Sequence, residues 1–139
     1  MERPNVTIVL LDTNILVSAF VFGGKPQELL RLVIEKRIKG VISPFMLMEL
    51  TNVLLEKFKF NVVRTILLEK KLRKYFQCVY PLKTIKVLRD DPDNRILEAA
   101  ITGNCAYLIT GDKELLALGR FKRVIITTTA KFLEILRNT

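Results

Sequence analysis

The sequence predicts an α/β fold, a three-layer sandwich in which helices cover both faces of a central parallel sheet. Three observations predict it. Apolar runs of strand length recur along the chain, Thr7 to Leu11 and Ala106 to Thr110 being the clearest. Longer stretches with apolar residues at helical spacing stand between them, and such alternation marks parallel strands joined by crossover helices. No internal repeat, low-complexity segment or linker interrupts the 139 residues, so the chain reads as one domain with room for a proper core.

The first run stops at Asp12, and its continuous apolar character suits a central strand buried on both faces. Ile15 to Phe22 continues apolar until Gly23-Gly24 breaks it. Pro26 suits the first turn of a helix to Lys36, with Leu29, Leu30, Val33 and Ile34 on one face. Gly40 ends that unit, and Val41-Ile42-Ser43 forms a short second strand. Ser43-Pro44 then opens a helix from about Phe45 to Phe58, and another runs from about Val62 to Phe76. Cys78-Val79-Tyr80 and Ile85 to Val87 are weaker extended pieces around Pro81. Asp90 to Asn94 reads as a polar turn feeding a helix from Arg95 to Thr102, closed by Gly103. After the strand Ala106 to Thr110, Gly111-Asp112 leads into a short helix holding Leu115 and Leu116. Arg123 to Thr127 makes a last strand and Thr129 to Leu136 a last helix.

Composition narrows the chemistry. No run approaches the roughly 18 apolar residues of a membrane span, so no membrane role is expected, and Met1 to Pro4 leads straight into the first strand without a signal peptide. Cys78 and Cys105 form neither a disulfide framework nor a zinc site, and they imply buried thiols in a reduced, cytoplasmic setting. Lys and Arg number 23 against 14 acids, a net charge of +9. That excess favours a polyanionic partner, nucleic acid ahead of membrane. The chain has no histidine, which removes the commonest general base and the usual zinc ligand. Hydrolysis here would run on carboxylates, lysine, hydroxyls or a metal held by oxygen.

Four acids return to the same kind of place. Asp12 ends the first strand, and Asp112 lies two residues past Thr110, beyond the end of a later one. Asp93, with Asp91 as its alternate, stands where the preceding helix starts. With right-handed crossovers these loops share the carboxyl edge, where open α/β sheets bind ligands. Helix capping accounts for each aspartate separately, since Asp is among the best N-caps. Glu49 has no such account. It lies on or beside the apolar stripe Met46, Leu50, Val53 and Leu54, where a carboxylate needs either a partner or an escape to water. Acids converging in one cleft repel one another unless a cation holds them, and Mg²⁺ and Mn²⁺ prefer all-oxygen ligands.

Leu11-Asp12-Thr13-Asn14, Met48-Glu49-Leu50, Asp91-Pro92-Asp93-Asn94 with Leu97-Glu98-Ala99-Ala100, and Thr110-Gly111-Asp112-Lys113-Glu114-Leu115 occur in that order. Together they resemble the PIN-domain nuclease pattern over nearly the whole chain, most closely the subgroup described as toxins of toxin–antitoxin pairs. The resemblance implies an endoribonuclease dependent on Mg²⁺ or Mn²⁺, with an antitoxin protein as partner. It matches Asp12, Glu49, Asp93 and Asp112 to the catalytic, metal-holding acids, and Asn14 and Thr110 to supporting positions. Asp12 and Asp93 would hold the main ion, Asp112 would complete that site, and Glu49 would hold a second ion or orient water. Asn14 could fix a carboxylate's rotamer or be a turn residue, and Thr110 could bond only backbone. Lys25, Lys57, Lys59, Arg89, Arg95 and Lys113 are candidate phosphate contacts, with Arg95 and Lys113 nearest the acids. The helices between Pro26 and Phe76 carry more apolar surface than the sheet covers, and PIN-like domains commonly pair through such helices, so a homodimer is expected.

Rival readings are weaker. The haloacid-dehalogenase pattern wants an acid where Asn14 stands, and response-regulator receivers want paired acids after the first strand. Gly23-Gly24 is no phosphate-binding loop, because it follows no strand and precedes no Gly-Lys-Ser/Thr. A non-toxin RNA-processing nuclease and a non-catalytic basic RNA-binding module remain as alternatives.

Overall fold

A computed structural model describes residues 6–139. The expectation for Met1 to Pro4 lies outside the described residues. Six strands form one sheet in the order β3-β2-β1-β4-β6-β5. They are β1 (Ile8–Leu11), β2 (Lys39–Ile42), β3 (Gln77–Cys78), β4 (Tyr107–Ile109), β5 (Arg120–Phe121) and β6 (Val124–Thr127). All pairings are parallel except β5 with β6. The helices are α1 (Thr13–Val21), α2 (Gly24–Ile34), α3 (Pro44–Glu56), α4 (Val62–Tyr75), α5 (Asp91–Thr102), α6 (Lys113–Leu118) and α7 (Thr129–Arg137).

The strand order assigns the layers. From β1 the chain steps outward to β2 and β3, then returns to β4 on the other side of β1 and continues to β6. Right-handed crossovers then put α1 to α4 on one face and α5 and α6 on the other. α7 packs against α2 and joins the first group, while α5 packs on β1 and β2. Val9, Leu10, Leu108 and Ile109 have no exposure at all, as central strands covered on both faces require. The chain reverses its direction of travel between β1 and β4, which makes their adjoining carboxyl ends the switch point of the sheet.

Several boundaries differ from the sequence pattern for identifiable reasons. Gly40 lies inside β2 rather than ending a unit, because the Phe76 ring lies where a β-carbon at residue 40 would come within 2.5 Å of it. Residues 90–94 are not a free turn. The chain is helical from Asp91, with Pro92 in the first turn where a missing N–H costs nothing. Ile85 to Val87 is not a strand, because its backbone groups bond to side chains of α5. The β5–β6 hairpin had no clear signal in two-residue Arg120–Phe121. Cys105 is buried and Cys78 half-buried, both free, and burial pushes the Cys105 thiol up to about 12.

Candidate active site

The four acids sit on four different elements. Asp12 directly follows β1 and occupies the N-cap position of α1, yet its side chain makes no capping hydrogen bond. Its Oδ2 instead accepts from Thr110 Oγ1 at 2.6 Å, across the β1–β4 pair. Thr110 Oγ1 also accepts from the Asp112 amide at 3.0 Å, so its single proton is committed to Asp12. Asp12 is 6% exposed. Burial raises its pKa; the Thr110 and Thr13 hydrogen bonds oppose that rise, and the charges of Glu49 and Asp112 add to it.

Asp112 does cap α6, its Oδ1 accepting from the Glu114 and Leu115 amides at 2.9 and 3.0 Å. Asp93 lies in the first turn of α5 and is buried, whereas Asp91 in the same turn is exposed and stands 3.9 Å from Arg95. Burial first, then the charges of Asp112, Asp90, Asp12 and Glu114, push the Asp93 carboxyl up to about 6. Glu49 is half-buried at the margin of the α3 stripe, with no hydrogen bond or ion pair among the described residues.

A cleft of about 780 Å³ opens at this edge, lined by Asn14, Ser18, Arg89, Asp90, Asp93, Asp112, Lys113 and Glu114 among others. Asp93 and Asp112 therefore face it, while Asp12 and Glu49 are not among its lining residues. Among the described residues no three acids stand close enough to hold a metal ion as they are. The expected convergence of four carboxylates is thus only partial. Asp12 is drawn down to the sheet by Thr110, and Glu49 remains on the flank of α3. The donor chemistry nevertheless fits a hard divalent ion. The ligands available are all oxygen, and Asp93, its proton affinity raised first by burial and then by the neighbouring acids, is a carboxylate whose charge a cation would stabilise.

Two supporting expectations change. Asn14 is exposed on the cleft wall and makes no side-chain hydrogen bond among the described residues, so it fixes no carboxylate. Arg95 is not free for phosphate. Its guanidinium bonds both Glu98 oxygens, at 2.9 and 2.7 Å, and the Ile85 carbonyl at 3.1 Å. Lys113 and Arg89 are the basic side chains that line the cleft. Ser18, unremarked in the sequence, and Glu114, given no role there beyond its place in the Thr110 to Leu115 motif, line it too. Their signals were spacing alone: Ser18 is one helical turn after Asn14, and Glu114 is two residues after Asp112.

A family model described as the PIN domain matches residues 8–114. The chain belongs to the PIN-domain family. PIN domains are nucleases, and this one carries the family's match from β1 through the start of α6. The PIN domain is 30% identical over 123 residues to the uncharacterized protein MJ1680 of Methanocaldococcus jannaschii, covering 85% of this chain and 78% of that one. Two solved structures share its fold. VapBC2 from Rickettsia felis, bound to a DNA fragment from their promoter, gives a TM-score of 0.60 at 18% identity over 88% of this chain and 98% of that one. PAE2754 from Pyrobaculum aerophilum gives 0.63 at 17% identity, covering 96% and 91%.

Proposed function

We propose that this PIN domain is an endoribonuclease that hydrolyses RNA phosphodiester bonds with Mg²⁺ or Mn²⁺, and that it is the toxin of a toxin–antitoxin pair. The observation that carries the reading is the acid arrangement at the switch point: Asp93 and Asp112 face the cleft, with Asp12 in electrostatic reach of both. Asp12, Asp93 and Asp112 would hold the main ion, with Glu49 as the acid for a second ion or for the attacking water. A divalent ion there would supply Lewis-acid activation of water and of the phosphate oxygens. The chain's own contribution is orientation. Thr110 fixes the Asp12 rotamer, and the α6 cap fixes Asp112 through Oδ1, leaving Oδ2 outside the cap.

The net charge of +9 supports RNA as the substrate. The likeness to VapBC2 supports an antitoxin protein as partner. Val62, Val63, Ile66 and Leu67 form an exposed apolar row on α4, which supports the homodimer. Among the described residues no helix is long and apolar enough to cross a membrane, and a cytoplasmic site of action fits an RNA target. One observation favours the rival, non-catalytic RNA-binding module: the lack, among the described residues, of a preformed cage of three acids. RNA cleavage assayed with Mn²⁺, with Mg²⁺ and with EDTA separates the two. Cleavage should need the ion, and RNA that is bound yet left intact under all three conditions would select the rival.

A further inference from the structure

Residues 79–90 form neither helix nor strand, yet the second half of this stretch is tied to α5 by side chains. Asn94, 1% exposed, accepts at Oδ1 from the Val87 and Leu88 amides, at 3.2 and 2.9 Å. Its Nδ2 donates to the Leu88 carbonyl at 2.8 Å. One turn later, Glu98 Oε2 accepts from the Ile85 amide at 2.8 Å, and Arg95, paired with Glu98, donates to the Ile85 carbonyl at 3.1 Å. The next residues, Arg89 and Asp90, line the cleft. Arg89 is exposed and has no ion pair among the described residues, although four acids line the same cleft.

We propose that Arg89 is a phosphate-binding residue for single-stranded RNA crossing the cleft, and that Asn94 and the Arg95–Glu98 pair are positioning residues that hold the 85–88 strap so that Arg89 meets it. This rests on the RNA reading above. A guanidinium presents a planar donor fork that matches a phosphate. The cleft's acids repel the RNA backbone, and a cation fixed at their rim offsets that repulsion. Holding the strap in advance removes an ordering cost that binding would otherwise bear. The tether also accounts for Arg95, which serves the substrate through the backbone of its neighbour rather than by touching it.

The test is the affinity of a short fluorescein-labelled single-stranded RNA, read by anisotropy in EDTA across a salt series. Arg89→Ala should weaken binding roughly ten-fold and flatten the slope of log affinity against log salt by about 0.7, the value for one phosphate contact on a single strand. Asn94→Ala should lose part of the same affinity and slope. The double variant should bind no worse than Arg89→Ala, because a freed strap without its cation has nothing left to misplace. If Asn94→Ala does not fold, Glu98→Gln takes its place, keeping volume and an acceptor while releasing Arg95. With Mn²⁺ added, Arg89→Ala should raise KM and leave kcat within about two-fold. Wild-type affinity and slope in Arg89→Ala would overturn the proposal, as would losses that multiply in the double variant. RNA bound but never cut would sink the nuclease reading alone, and RNA neither bound nor cut would sink both.

Discussion

Asp93→Asn should stabilise the metal-free protein at neutral pH and do nothing for it in acid. Burial and the charges of Asp112, Asp90, Asp12 and Glu114 lift this carboxyl from 3.8 to about 6. A raised folded-state pKa means that the folded protein holds the proton more tightly than the unfolded chain does. The stability tied to Asp93 is therefore fully present below 3.8 and is lost as pH rises through about 6. At face value the penalty at neutral pH is about 3 kcal/mol, and solvent in the open cleft screens it to about 1–2 kcal/mol. Asparagine keeps the shape and removes the charge. It also gives up an acid in the first turn of α5, where the helix dipole favours negative charge by about 0.3–1 kcal/mol. The cost of holding a buried, crowded charge is the larger, leaving a gain of about 1 kcal/mol near neutrality, or a Tm higher by about 3–4 °C. The difference should shrink as pH falls and vanish by about pH 3.5. Thermal melts in EDTA across that range measure it. Adding Mn²⁺ at about 100 times its Kd should raise wild-type stability by about 2.7 kcal/mol, and the variant's by less. A gain independent of pH, or an equal metal-induced shift in both proteins, would refute the reasoning.

Three further outcomes are expected. Asp12→Asn should lower RNA cleavage at least about 100-fold without loss of metal-free stability, since an amide can still accept from Thr110; retained cleavage in a gel assay would reduce Asp12 to an anchor for that hydroxyl. Arg95→Ala should cost about 3 kcal/mol in urea unfolding, because Glu98 is 7% exposed and loses its charged partner; a cost near zero would mean that Glu98 is wetter than its burial indicates. Light scattering at micromolar concentration should give a dimer mass, and Leu67→Glu should give a monomer, whereas a wild-type monomer would remove the α4 row as the pairing surface.

Much of the site was legible because strand ends are legible. The apolar runs before Asp12 and Asp112 fix where each backbone leaves the sheet, and parallel topology carries both to one edge. Helical periodicity likewise set Glu49 at the margin of the α3 stripe. Partner choice was not legible. Arg95 stands near the acids in sequence but turns away to Glu98, three residues on along the same helix. The choice between Asp91 and Asp93 depended on which side of the first turn of α5 faces the cleft, and that in turn depends on the helix starting at Asp91 rather than Arg95. The strap at 85–88 has no periodicity to read, since its backbone groups are satisfied by Asn94, Arg95 and Glu98 instead of a ladder. Hence Asn94 looked like part of a catalytic motif while its side chain serves the loop.

The bond between Thr110 and Asp12 joins residues 98 positions apart. During synthesis Asp12, Glu49 and Asp93 are made before Thr110 and Asp112 exist. A chain arrested in between carries most of the acids, but it has neither the hydroxyl that orients Asp12 nor the Gly111 to Glu114 segment that lines the cleft. If the protein cuts RNA as proposed, this ordering would keep each unfinished copy harmless to the message being read. Stalled chains ending before Thr110 should leave RNA intact in a translation extract that the released, full-length protein degrades, and cleavage by the stalled chains would contradict this built-in delay.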